Sequence, residues 1–382
     1  MYDIVIIGGG VIGCAIAREL KRWRLKVALC ERSDDVGAGA SKANSAIVHP
    51  GHSAKPGTDM ARLNVVGNQL YDQLCQELDI TFQRCGSLTV AFDEDELPAL
   101  ESVYQDGLAN GVPGMRLIDR DELLRREPNL NPEAVAALFA PTGGIVCPYE
   151  LTVGLAENAA INGVDVFLNT KAVQVKRNAS GWTVCTGQGD FDCAAVVNAA
   201  GLYADIFNNQ VSTDTMRIIP RRGEYWMIDK SFDGAFRSTI FQLPGKMGKG
   251  VLVSPTVDGT IIVGPNAEDI DDRDDNTTTR AGLEYVYQAA SRIWPALPRR
   301  ALITNFAGNR AHLVRHDFVL GEAPGAPGFF NAAGIESPGL TAAPAIAREL
   351  SAAIAEYLHA SPNAEFQPCR PPVRRFRTMT MA

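Results

Sequence analysis

One stretch near the N-terminus constrains the fold more than any other. Asp3 to Leu20 reads as an apolar run from Ile4 to Ile7, three consecutive glycines, and then a helix with small residues on its first turn. Gly8, Gly10 and Gly13 have G-x-G-x-x-G spacing. The first glycine permits a tight turn, the second lets the backbone approach a pyrophosphate, and the third lets the helix pack close to the strand. Ile12 sits between the last two, on the helix end that offers free N–H groups and a partial positive charge to a phosphate. A second apolar run, Lys26 to Cys30, follows the helix and ends at Glu31. That carboxylate lies near the roughly 20-residue spacing expected of a group that accepts hydrogen bonds from a ribose. A βαβ unit with no ligand would carry the same turn, but the acid after the second strand favours a dinucleotide.

A chain of 382 residues is too long for one ordinary core, so two domains are expected. The apolar fraction of 46% and charged fraction of 21% are those of a soluble globular protein. The net charge of −8, with no compensating basic tract, argues against nucleic acid. No apolar run approaches the length needed to span a bilayer, and the chain enters a strand at once, so neither a membrane span nor a signal peptide is expected. Peripheral membrane contact stays open. None of the eight cysteines forms a C-x-x-C pair or sits beside a histidine at metal spacing, so no metal is expected and a reducing cytoplasm is the natural setting.

The segment after Glu31-Arg32 is rich in small residues and leads into Ile47-Val48-His49, with His52 close behind. Its composition suits an ordered loop that brings backbone close to a ligand. Together, Gly8 to Gly13, Glu31-Arg32, Gly39-Ala40-Ser41 and Asn44-Ser45 resemble the FAD-binding entrance of the D-amino-acid oxidase superfamily. Asn44 to Gly51, with Lys55-Pro56-Gly57, resembles the L-2-hydroxyglutarate dehydrogenase branch, where the histidine lies near the flavin. His49 is therefore a catalytic candidate. Pro50 and His52-Ser53 depart from that branch and bear on substrate rather than cofactor. Val196 to Ala204 resembles the V-x-N-A-A-G signature that brings a strand back to the cofactor, which makes Ala200 and Gly201 candidates. Val173 matches a position whose backbone meets the adenine. Asn331 to Ala347 is a further strand, glycine turn and helix. The resemblance places Gly334, Gly339, Leu340 and Thr341 beside the ribityl chain and flavin edge.

The resemblance implies an α/β fold. A discontinuous Rossmann-like FAD-binding domain would comprise 1–80, 145–210 and 320–365. A second α+β domain on a mixed antiparallel sheet would comprise 81–144 and 211–319, with a tail at 366–382. Helical spacing predicts helices over 60–78 and 277–293, one strand is predicted over 82–92 with its alternation at 86–91, and the acidic run 268–275 reads as an exposed loop. Arg222, on a predicted strand, is either a structural residue or an anion ligand. Asn305 to His312 resembles the A-G-x-R segment of the glycerol-phosphate and hydroxyglutarate dehydrogenases, which makes Arg310 the foremost substrate ligand. A surface arginine after a glycine turn is the plain alternative. His312 is a base or a packed imidazole.

The implied activity is oxidation of a secondary alcohol on a small anionic substrate, with hydride passing to flavin N5. A 2-hydroxy acid of the L-2-hydroxyglutarate type is favoured over glycerol 3-phosphate, an amine substrate, or a flavoprotein subunit that needs an electron-accepting partner. Quinone, oxygen or a partner subunit would take the electrons, in the cytoplasm or peripherally at the inner membrane. The tail from Pro371 to Arg377 is basic and proline-rich. Some relatives continue past such a segment into an iron–sulfur domain.

Overall fold

The computed structural model describes residues 1–243 and 250–373, so Arg374 to Arg377 of the basic tail lie outside the described residues. The opening apolar run is the strand Tyr2–Ile7, and it lies at the centre of an eight-stranded sheet. It pairs in parallel with Val27–Cys30 on one side and Phe191–Asn198 on the other. Asp165–Phe167 extends the sheet in parallel beyond Val27–Cys30, and Phe329–Ala333 runs parallel beside Phe191–Asn198. A hairpin of Ala172–Asn178 and Gly181–Thr186 joins the N-terminal part of that same strand. Parallel strands need covered faces, and the side-chain alternation shows them. Ile4 and Ile6 pack with the helices Val11–Leu20, Asp59–Glu77, Pro148–Ile161 and Gly339–Tyr357. Val5 and Ile7 face the opposite way, into a core with Trp182, Phe207 and Phe329.

A second, nine-stranded mixed sheet draws its strands from 87–140 and 218–313. Its longest pairing is antiparallel, between Ile218–Ile228 and Leu302–Leu313. The amphipathic helix Arg280–Ile293 covers one face through Val286, Ala290 and Ile293, and Thr279 caps its start by accepting from the Gly282 amide at 3.0 Å. Three short strands, Ile47–Val48, Phe82–Gln83 and Gly144–Val146, form a third sheet.

Three expectations are adjusted. The 82–92 segment is two strands rather than one, Phe82–Gln83 and Ser87–Ala91, which join different sheets on either side of Gly86 at φ +74°, and all five residues of the second are buried because the chain covers both of its faces. Asn305 to His312 contains no glycine turn and lies wholly within the Leu302–Leu313 strand. Gly308 is there for packing, since a Cβ on it would sit 1.9 Å from the Ala43 carbonyl oxygen. The acidic run is exposed but not idle. Glu268–Asp269 pairs as a short strand with Arg221 and Arg222, and its carboxylates hold both guanidinium groups. Asp274 holds Arg32, and Arg273 holds Asp205.

Candidate active site

A cavity of about 560 Å³ runs from the opening turn to the second sheet. At the turn, Gly8 has φ +109°, and a Cβ there would lie 2.4 Å from the Ala199 carbonyl oxygen. Gly10 is the N-cap of Val11–Leu20 and offers no side chain to close the helix end. No acid lies in the first turn of that helix. The Val11 amide donates to Ser41 Oγ at 2.9 Å, which ties the small-residue loop to the helix start. Glu31 is held rigidly, accepting from the Gly9 amide at 2.7 Å and the Ser33 amide at 2.9 Å. Beside it, burial pushes the Cys30 thiol up to about 12, so it is a neutral wall.

Gly8, Gly10, Ile12, Glu31, Arg32, Ala40, Ser41, Asn44, Ser45, Val173, Ala200, Gly201, Gly339 and Leu340 all line this cavity, as do His49 and Arg310. Asn44 shapes the loop by donating to the Ser41 carbonyl at 2.9 Å and accepting from the Ala46 amide at 2.9 Å. Gly13, Gly334, Thr341, Arg222 and His312 do not line it. Gly13 is there for packing, because a Cβ would meet the Gly8 carbonyl oxygen at 1.9 Å. Gly334, at φ +65°, packs on Leu313. Thr341 supports the wall instead: its Oγ1 accepts from the His49 amide at 2.8 Å.

Arg222 is corrected by strand parity. Residues directly opposite in an antiparallel pair share a face, and successive residues alternate. Arg310 registers against Arg221, so Arg222 points away. Its guanidinium is buried and bound to Glu268 at 2.7 Å and Asp275 at 3.2 Å. Arg222→Ala should therefore cost about 2 kcal/mol of stability, because it strands partly exposed carboxylates. It should leave substrate KM within about twofold, as steady-state kinetics beside urea unfolding will show.

At the far end, His49 is fixed from three sides. Its carbonyl accepts from Asn64 Nδ2 at 3.2 Å and Asn68 Nδ2 at 3.0 Å, its Nε2 lies 3.3 Å from Ser337 Oγ, and its ring packs 5.7 Å from that of Phe241. Arg310 extends beside Gly223, where a Cβ would lie 2.6 Å from its guanidinium nitrogen. It donates to the Asn266 carbonyl at 3.0 Å, and among the described residues no carboxylate forms an ion pair with it. An arginine with spare donors facing a cavity is a ready anion ligand. His312 is turned aside and hydrogen-bonded through Nδ1 to Glu336 at 2.8 Å.

Tyr225, Glu336 and Ser337 also line the cavity and were not among the expected site residues. Tyr225 stacks on Phe306, with centroids 4.7 Å apart, and its hydroxyl lies 3.1 Å from Ser45 Oγ. Parity would have found Tyr225, since it shares a face with Gly223 and Arg221. Glu336 and Ser337 lie in an irregular loop with no periodicity to betray them.

A family model described as FAD dependent oxidoreductase matches residues 3–353. The chain belongs to this family. A glycerol 3-phosphate dehydrogenase from Caloramator mitchellensis is 49% identical over 346 residues, covering 91% of this chain and 72% of that protein. The human mitochondrial L-2-hydroxyglutarate dehydrogenase is 31% identical over 283 residues, covering 70% of this chain and 61% of that protein. A solved structure of dithionite-reduced L-alpha-glycerophosphate oxidase from Mycoplasma pneumoniae with FAD bound superposes with a TM-score of 0.91 at 31% identity, covering 97% of this chain and 98% of that one. FAD is the cofactor of this oxidoreductase family. The cavity suits it: crowded glycines leave backbone exposed at an open helix end, a fixed carboxylate stands next to them, and small-residue turns recur along the walls. No described helix is long and apolar enough to cross a membrane.

Proposed function

We propose that the protein oxidises the secondary alcohol of sn-glycerol 3-phosphate. What carries this reading is the strong whole-chain likeness to a glycerol 3-phosphate dehydrogenase, against a weaker likeness to L-2-hydroxyglutarate dehydrogenases. FAD, when bound, supplies the hydride acceptor. Gly8, Gly10 and the helix start at Val11 would receive the pyrophosphate, Glu31 the ribose, and Ala200, Gly201, Gly339 and Leu340 the remainder of the cofactor. Arg310 binds the substrate phosphate by paired hydrogen bonds, which fixes the alcohol carbon as well as the charge. His49 takes the hydroxyl proton, because its imidazole lies in the cavity wall whereas His312 is engaged by Glu336. Ser337, within 3.3 Å of His49 Nε2, orients that ring. A quinone or a partner subunit is the proposed electron acceptor.

A second reading, an L-2-hydroxy acid substrate, rests on the Asn44 to Gly51 motif and on the same arginine chemistry. Anaerobic mixing decides between them. The flavin absorbance of the purified protein should bleach within one turnover on glycerol 3-phosphate, and L-2-hydroxyglutarate should be at least 100-fold slower. The reverse order would establish the second reading. No bleaching by either would remove both.

A further inference from the structure

At the edge of the cavity, three side chains that nothing above employs in catalysis converge. His312 is the penultimate residue of the Leu302–Leu313 strand, His316 closes the turn after it, and Glu336 comes from the loop that follows Gly334. Both imidazole Nδ1 atoms point at one carboxylate oxygen, Glu336 Oε1, at 2.8 and 3.1 Å. The two rings stand 5.7 Å apart, tilted by 55°. One potential ligand atom from each residue lies within 4.8 Å of the others. The backbone holds this arrangement from both sides. His316 adopts φ +52° and its amide donates to the Leu313 carbonyl at 2.8 Å, which turns its side chain back toward the strand. Gly334, at φ +65°, packs on that same Leu313 and brings Glu336 alongside.

We propose that His312, His316 and Glu336 form a three-ligand site for a divalent transition-metal ion of the zinc type. Two imidazoles and one carboxylate are a borderline-soft set that suits Zn²⁺, with the fourth position left to solvent. Zinc–nitrogen and zinc–oxygen bonds of roughly 2.0–2.2 Å hold tetrahedral ligands about 3.4 Å apart, so only a small side-chain adjustment separates the observed cluster from a coordinating one. Binding moves each histidine proton from Nδ1 to Nε2, or to bulk solvent if the ring is charged. The charge around the site is mixed. Asp269 lies within electrostatic range of His312 and favours a cation, while Arg221 opposes it near Glu336 but is itself paired with Asp269. Arg315, in the same turn, is engaged with Asp214. The sequence hides the site, because Glu336 lies 24 residues after His312 and on a different loop. Its position matters, since Glu336 lines the cofactor cavity and immediately precedes the serine that touches His49.

Equilibrium dialysis of the EDTA-treated, flavin-loaded protein against Zn²⁺ tests this. One Zn²⁺ per chain is expected. X-ray absorption should show a nitrogen and oxygen shell near 2.0–2.1 Å without sulfur. His316→Ala, at an exposed position, should weaken binding at least tenfold with an unchanged unfolding midpoint in EDTA. Cys369→Ser, which removes an exposed thiol, should leave binding as it was. Unaltered affinity in His316→Ala, a sulfur-containing shell, loss of binding in Cys369→Ser, or no stoichiometric binding by the wild type would each overturn the proposal. None of these readouts depends on which alcohol the protein oxidises.

Discussion

Arg310→Ala is expected to lower kcat/KM by about 100-fold, roughly 2.7 kcal/mol, while the purified protein keeps its full flavin content. The guanidinium faces the cavity with one carbonyl partner, so truncation strands no carboxylate of its own and the fold should be barely affected. The loss falls on the substrate anion. Arg310→Lys should recover only part of it, because an ammonium restores the charge without the two-pronged hydrogen bonding. Stopped-flow reduction as a function of substrate concentration checks this. An Arg310→Ala protein that reduces as fast as wild type at low substrate would disprove the assignment.

The second large effect concerns cofactor retention. Gly13→Ala should yield a colourless protein, with FAD content below about a tenth of wild type and a stability loss of about 3 kcal/mol, the upper end of the cost of overpacking. The added methyl would lie 1.9 Å from the Gly8 carbonyl oxygen. Neither partner can yield cheaply, because the Gly8 backbone is itself wedged against Ala199. The helix must tilt off the strand, and its N-terminus then no longer aims at the pyrophosphate. Gly187→Ala is the control, since a Cβ there meets nothing within 4 Å. Flavin absorbance per chain and urea unfolding of both variants report the two effects separately.

Gly13 also shows what kind of information the chain carries openly. The G-x-G-x-x-G turn, the small-residue approaches at 39–41 and 198–201, and the helix at Gly339 are local patterns. Short backbone-to-ligand distances need small residues wherever they occur, so these could be read directly. The choice between neighbouring arginines could not. Whether Arg221 or Arg222 shares a face with Arg310 depends on a register set by a strand some ninety residues later. Likewise Gly334 and Thr341 lie in the right motif yet serve packing and support, because a glycine demanded by a side chain and one demanded by a ligand look alike in sequence. The acidic run was legible as exposed, but its grip on Arg32, Arg221 and Arg222 is tertiary. In the substrate preference, motif likeness pointed to hydroxyglutarate, while the whole-chain comparison moves the proposal to glycerol 3-phosphate.

The central strand Tyr2–Ile7 has a bearing on how the protein is made. Its neighbour Phe191–Asn198 and that strand's neighbour Phe329–Ala333 come from far along the chain. On a ribosome adding about 5–20 residues per second, the last cavity wall, at Leu340, follows the opening glycine turn by about 16–65 s. Until Phe191–Asn198 has also emerged, one edge of the nascent strand Tyr2–Ile7 has no native partner, a condition that invites misassociation. The vitamin-derived cofactor can lock the architecture only once the wall at Leu340 has emerged. Flavin capture is therefore a late event relative to the folding of the opening turn, not the step that starts it.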